Sequence, residues 1–420
     1  MSYLHNGRVK MRSSKEKIMP VIQNYIGLPK EIYILFISKI INSLGRFIGP
    51  LLTLILTKKI GMSSTEAGAL ITIAMALQAP CVLIGGKLAD TAGRKKVICF
   101  FFGLSALTFL SCTFMPVTKL LAYTLILGAC FSSFSGSAYD AMVTDYTEVH
   151  NRQAAFSLLY MGTNVGSAIA PVVGGLLFKK HLKILFLGDA ITTFIAVILI
   201  ILLVQEHESV RKRQKQIDEQ NEAVRQNVFE VLRETPILII VALILSLYNF
   251  VYEQFGFGIP LGMDSVFGDR GAELFGLVSS INALIVIFFT PFLVHITKNM
   301  KVKNVLAVGG LCYAGCFMVM AISRHLYGYM VGIVLLTIGE ILGAVNAAAF
   351  VANHAKATHL GRINSVVSLI RDAGYCISPI VVGSMLKWIT IQQSFLVMGA
   401  IAAAGAMMMF ALKDDMSGSI

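Results

Sequence analysis

Seven ionisable residues stand inside long apolar stretches of this sequence: Lys39, Arg46, Asp140, Glu253, Glu340, Arg371 and Asp372. A charge at mid-bilayer costs roughly 2.5–3.5 kcal/mol on insertion scales, so each marks a candidate site. A carboxylate in a low-dielectric cavity resists ionisation, takes up a proton near neutral pH and loses it again beside a cation. Proton and cationic solute then compete for one group. Glu340 is the first choice for such a proton carrier, followed by Glu253 and Asp140. Lys39, Asn42 and Arg46 recur at i, i+3 and i+7, one polar stripe on an apolar helix. Asn249, Tyr252, Glu253 and Gln254 cluster in LYNFVYEQFG. With Arg371 and Asp372 these residues are candidate linings of a substrate cavity. Three cations against four acids leave a second reading open, in which some are structural ion pairs.

The sequence offers no nucleophile–base constellation, HExxH, phosphate loop or Cys/His metal site, so neither catalysis, a cofactor nor a metal is expected. The eight histidines lie in tails, loops or helix ends, which argues against histidine as the proton carrier. The seven cysteines all sit in apolar stretches and imply packing rather than disulfides.

The elements that must position these charges follow from composition. Of 420 residues 56% are hydrophobic and 14% charged, too little charge to coat a water-soluble enzyme. A bilayer core of about 30 Å needs roughly 20 apolar residues per helix. Twelve such stretches can be marked, six within 31–204 and six within 237–412, separated by a polar linker at 205–236 and flanked by tails at 1–30 and 413–420. If both termini are cytoplasmic, the inside loops hold 23 Lys and Arg and the outside loops 9. That bias assigns the net charge of +12 to topology and removes the nucleic-acid reading. The polar first 25 or so residues do not form a secretory signal peptide. At an offset of 208 residues, Gly166 falls on Gly374, Pro171 on Pro379 and Gly175 on Gly383, as expected of parallel repeats.

Between the second and third stretches stands GGKLADTAGRKKV. Gly86, Leu88, Ala89, Asp90, Gly93, Arg94 and Lys95 match the signature loop of the major facilitator superfamily, which the chain resembles over most of its length; Thr91 replaces a usual basic residue. Gly86 removes bulk where helices approach, Gly93 permits a tight turn, and Asp90 and Arg94 are spaced to pair. The resemblance implies a cytoplasmic gate in which Asp90 and Arg94 latch onto Asp145, holding the inside closed. It also implies an all-α membrane protein of twelve helices in two pseudo-symmetric six-helix bundles, both termini cytoplasmic. Helices one, four, seven and ten line the cavity in that fold, which gathers Arg46, Asp140, Glu253 and Glu340. GSAIAPVVGG is similar to the antiporter motif of drug/proton exchangers, with Ala170 where that motif prefers Gly. It makes Gly166, Pro171, Gly174 and Gly175 a candidate hinge. SLGRFIG is similar to the R-F of proton-coupled peptide transporters, whose acidic positions are Asn42 and Gly45 here.

The expected protein is a monomeric secondary transporter in the bacterial plasma membrane, with lipid, protons and a small solute as partners. Proton-coupled efflux of drug-like or cationic compounds is the leading expectation. Uptake of a zwitterion such as a peptide is the alternative, and a non-transporting sensor or lipid-handling protein the third.

Overall fold

The computed structural model describes residues 25–205, 236–354 and 360–412, and every regular element among them is helical. The expected linker and tails lie almost wholly outside the described residues. In chain order the helices are α1 Lys30–Leu44, α2 Ile48–Leu54, α3 Ser64–Ala92, α4 Arg94–Phe114, α5 Lys119–Asp145, α6 Val149–Phe178 and α7 Leu182–Leu203. The second set is α8 Pro236–Tyr252, α9 Gly258–Phe267, α10 Gly271–Thr297, α11 Val302–Ile322, α12 Leu326–His354, α13 Leu360–Met385 and α14 Ile391–Ala411. Among the described residues eleven segments are long and apolar enough to cross a membrane, one of them running 62 residues from Pro236 to Thr297. This is a multi-pass membrane protein.

Local sequence sets the helix ends. Ser63 and Glu66 form a capping box that starts α3, and Thr390 and Gln393 one that starts α14. Gly93 alone separates α3 from α4, at φ +107°, a conformation that a side chain resists.

Two stretches expected to be single helices are broken. The first, Glu31–Thr57, stops at Leu44 and restarts at Ile48, and the seventh, Ile237–Gly262, stops at Tyr252, passes through a 3₁₀ turn at Glu253–Phe255 and restarts at Gly258. Pro50 and Pro260 each hold the third position after a break, where a missing N–H costs no helical bond. Gly45 is obligatory, because a Cβ there would lie 1.8 Å from the Thr192 hydroxyl on α7.

The 208-residue repeat governs packing. Within the first half α1 packs on α6 and α7, α3 on α5, and α4 on α5 and α7. Within the second half α8 packs on α13 and α14, α10 on α12, and α11 on α12 and α14. Between halves α3 lies against α13 and α10 against α6. At both crossings a glycine abuts a proline carbonyl: a Cβ on Gly68 would lie 2.1 Å from the Pro379 oxygen, and one on Gly276 2.2 Å from the Pro171 oxygen. Gly68 and Gly276 are themselves 208 apart, as are Pro171 and Pro379.

The polar contacts between halves lie toward the end carrying Ser63, Lys179 and Asp269. They include Thr53 Oγ1 donating to Gly256 O at 2.7 Å, Thr65 Oγ1 to Gly383 O at 2.9 Å, and the ion pairs Lys58–Asp264 and Lys179–Asp269, both at 2.6 Å. The halves are thus sealed at the Ser63 end.

Candidate functional site

Two chambers lie in the centre of the molecule. The larger, about 800 Å³, is lined mostly by apolar and aromatic groups, with Tyr248, Asn249, Tyr252, Tyr313, Glu340, Arg371, Asp372 and Tyr375 among them. Leu369 lines it while 73% exposed, so this chamber opens away from the seal, toward the Gly93 end. The smaller, about 470 Å³, lies between the halves and holds Arg46, Glu253, Ser279, Asn282 and Glu340. Met75, Tyr252, Glu340 and Tyr375 line both, so the chambers meet at Glu340. Thr53 and Gly256, whose hydrogen bond joins the halves, line the smaller chamber and place it next to the seal.

The helix breaks deliver the opposing charges. Arg46 sits in the gap between α1 and α2, and Glu253 opens the 3₁₀ turn after α8. Unwound backbone inside a membrane is tolerated where it lines a cavity, and paired interruptions in two repeats mark binding sites. Glu253 is buried, 4% exposed, and its Oε2 has no hydrogen-bond partner. Glu340 Oε2 accepts a hydrogen bond from Asn282 Nδ2 at 2.8 Å, and the same nitrogen reaches Thr337 Oγ1 at 2.8 Å. Tyr252 stands beside Glu340 and Tyr375 beside Glu253. Four tyrosine rings form the larger chamber's wall: centroid separations are 6.0 Å for Tyr248–Tyr313, 6.1 Å for Tyr252–Tyr313 and 6.4 Å for Tyr252–Tyr375. Such rings offer both apolar surface and cation–π attraction.

The structure brings together Arg46, Glu253, Glu340 and Tyr252 in one space, with Asn249, Arg371 and Asp372 at the larger chamber. Arg371 Nε donates to Asp372 Oδ1 at 3.0 Å and Asn249 Nδ2 to the same oxygen at 3.2 Å. Other expected cavity residues are turned elsewhere. Asn42 Nδ2 donates to Thr193 Oγ1 on α7 at 3.0 Å, facing a neighbour in its own half. Gln254 is buried and ties the break to α13 by donating to Ser378 Oγ at 2.6 Å. Lys39 lies over the Tyr139 ring at 5.0 Å and within electrostatic reach of Asp140. Neither of these two lines either chamber. The i, i+3, i+7 stripe does not face one space, because the break ends α1 before Arg46.

At the Gly93 end Arg94 bridges two acids, Nη1 to Asp90 Oδ1 at 2.6 Å and Nε to Asp145 Oδ2 at 3.0 Å. All three belong to the first half, and they are joined while the halves are sealed at the opposite end. The triad therefore does not by itself hold the Gly93 end shut. Lys95 Nζ donates to Ile201 O at 2.8 Å and Val204 O at 2.7 Å, binding the C-terminal carbonyls of α7. Lys303, 208 residues on, donates to Leu412 O at 2.5 Å at the equivalent end of α14. The tight crossing expected of Gly86 belongs to Gly85, whose Cβ would lie 2.1 Å from Phe134 O; at Gly86 the nearest atom is 3.4 Å away. In α6, Gly166 and Gly174 pack on the first-half break region, at Ser43 and Leu51, while Pro171 and Gly175 face α10. The helix runs unbroken through Pro171.

Sequence reasoning missed both breaks, although Gly45 beside Arg46 and the glycines of EQFGFGIP carried the signal. It also missed Asn282, Tyr313 and Tyr375, which nothing in a single apolar stretch distinguishes from packing residues.

Two related sets of membrane-crossing helices around a central charged cavity define a transport-type membrane fold. The model of the Major Facilitator Superfamily matches residues 35–379 and 271–418, and the chain belongs to that family. It is 25% identical over 298 residues to the uncharacterised MFS-type transporter YqjV of Bacillus subtilis, covering 70% of this chain and 71% of the relative. It is 23% identical to the Na(+), Li(+), K(+)/H(+) antiporter of Planococcus maritimus, covering 83% and 88%. A structure of a variant of the peptide transporter POT in complex with sulfate superposes with a TM-score of 0.74 at 17% identity, covering 92% and 94%.

Proposed function

We propose that this chain is a proton-coupled exporter of small, partly apolar cationic compounds, working by alternating access. The observation that carries this reading is the position of Glu340. It lies where a tyrosine-walled chamber open at one end meets a sealed chamber containing Arg46 and Glu253. A carboxylate there can exchange a proton for a cationic solute, and a cation of the opposite half can displace either. Glu253 is the second carrier. In this reading the 62-residue segment is two spans, which makes twelve. The Gly93 end is cytoplasmic, as are both termini, and the structure corresponds to an inward-open state. The protein works as a monomer in a bacterial plasma membrane, without enzymatic chemistry. The cation antiporter among its relatives supports coupling to protons.

A second reading, uptake of a zwitterion, is favoured by Arg46 facing Glu253 and Glu340 in one chamber, and by the likeness to a peptide transporter. Two connected chambers of this size speak for transport over a non-transporting role. Proteoliposomes with an imposed pH gradient separate the readings. Gradient-driven flux of benzyltrimethylammonium that dialanine does not inhibit is the outcome expected of the exporter. Flux of dialanine instead supports the second reading, and flux of neither sinks both.

A further inference from the structure

Thr337 on α12 is fully buried and lines neither chamber, yet it stands three residues before Glu340 on the same face of that helix. Its hydroxyl donates to the Ile333 carbonyl at 2.6 Å, the bond to the preceding turn that hydroxyl side chains make within helices. A hydroxyl has one hydrogen, so toward Asn282 on α10 Thr337 can only accept. That decides which end of the Asn282 amide faces α12. Nδ2 gives one hydrogen to Thr337 Oγ1 and the other to Glu340 Oε2, both at 2.8 Å. A carbonyl cannot donate, so the order of donors and acceptors is fixed from Ile333 O as far as Glu340. With both amide hydrogens engaged, Asn282 has its Oδ1 left to offer the smaller chamber that it lines. The ionisable groups that share the chambers with Glu340 come from every neighbouring element: Tyr252 on α8, Glu253 in the 3₁₀ turn, Tyr313 on α11, Arg371, Asp372 and Tyr375 on α13, and Arg46 in the first-half break. Thr337 is uncharged, so replacing it alters the hydrogen-bond chain and leaves those charges in place.

We infer that Thr337 is a positioning residue for coupling: by fixing the direction of the Asn282 amide it commits Glu340 Oε2 to accepting a hydrogen bond, and leaves Oε1 as the oxygen that takes the proton or meets the cation. The inference rests on the proposed exchange of a proton for a cationic solute at Glu340. An amide N–H favours the ionised carboxylate. Released from Thr337, the amide can turn, and its carbonyl then accepts from a protonated Glu340 instead. The turned amide also offers the chamber N–H in place of C=O, the wrong polarity for a cation. Thr337 thereby sets the pH at which proton gives way to solute, although it touches neither.

The test is benzyltrimethylammonium exchange in proteoliposomes, measured over a range of pH common to both sides, using wild type, Thr337→Val, Thr337→Ala, Thr337→Ser and Glu340→Gln. Exchange rises with pH as Glu340 gives up its proton to the cation. Thr337→Val and Thr337→Ala, two hydroxyl-free variants of different size, are expected to move the midpoint of that rise about one pH unit toward alkaline values, for loss of one hydrogen bond to the ionised form. Thr337→Ser keeps the hydroxyl and the wild-type midpoint. A midpoint unmoved in Thr337→Val and Thr337→Ala, or moved equally in Thr337→Ser, overturns the inference, since a merely structural tie between α10 and α12 changes the rate and leaves the midpoint alone. Infrared difference titration of the protonated carboxyl band, assigned by its loss in Glu340→Gln, reads the same midpoint without transport. In Glu340→Gln the pH dependence should be absent, and Thr337→Val added to it should restore none. Wild-type pH dependence in Glu340→Gln overturns the proton-carrier reading and the inference with it. If dialanine is the solute carried, the export reading fails on its own. The inference then stands if the dialanine midpoint moves in Thr337→Val and not in Thr337→Ser, and falls otherwise.

Discussion

Arg46 and Glu253 occupy corresponding helix breaks, 207 residues apart in the two halves, and both line the same chamber of about 470 Å³. One repeated backbone device therefore presents opposite charges to one space. The duplication set the geometry, and substitution at the two breaks set the polarity.

The seal at the Ser63 end depends on backbone contact at the Gly68–Pro379 and Gly276–Pro171 crossings. A carbonyl cannot retreat as a flexible side chain can. Gly276→Val should therefore hold the halves apart at that end and lower flux at least about tenfold, whichever solute is used. Disulfide trapping between Lys58→Cys and Asp264→Cys reports the seal directly, and its yield should fall in the Gly276→Val background.

The ion pair Lys58–Asp264 joins the halves at 2.6 Å, with its lysine half exposed. Exposed pairs contribute about 0.2–1 kcal/mol. Asp264→Asn should accordingly leave Tm within about 2–4 °C of wild type while making the Ser63 end open more readily. Cysteine labelling from that side should rise a few-fold, and the exchange Lys58→Asp/Asp264→Lys should restore it.

The triad at the Gly93 end should respond unequally. Arg94 and Asp145 are mostly buried, with side chains 10% and 13% exposed, whereas Asp90 is 66% exposed. Arg94→Ala removes the cation paired with a mostly buried carboxylate and should cost about 3 kcal/mol or more. Asp90→Asn should cost under about 1 kcal/mol. Thermal unfolding of the purified variants gives the order, and an Asp90 effect as large as that of Arg94 would contradict it.

Lys95 and Lys303 bind equivalent helix ends. Their alanine variants should each lose about 0.3–1 kcal/mol, with similar Tm shifts and little change in KM. Unequal shifts would mean that the two lysines do not hold their helix ends equivalently.

Much of this was legible in residue order. The twelve apolar stretches, the Gly85–Val97 loop and the 208-residue offset sufficed for the class of fold and for the pairing of Arg94 with two acids. Side-chain direction was not legible. Asn42 and Gln254 look like cavity residues by type, but each meets a hydroxyl partner, Thr193 or Ser378, more than 120 residues away. Helix periodicity says which residues share a face and is silent about what that face meets. A break changes the face altogether, as it does between Asn42 and Arg46.

The central claim is that Glu340 carries the proton that drives solute movement, and one comparison tests it most directly. Glu340→Gln and wild type are reconstituted at equal density. Benzyltrimethylammonium flux is then measured twice, once driven by a pH gradient and once as exchange at equal pH. Gradient-driven flux should fall at least about tenfold in Glu340→Gln, and whatever exchange persists should no longer change with the common pH of the two sides, since the group for which proton and solute compete is gone. Wild-type gradient-driven flux in Glu340→Gln would contradict the claim.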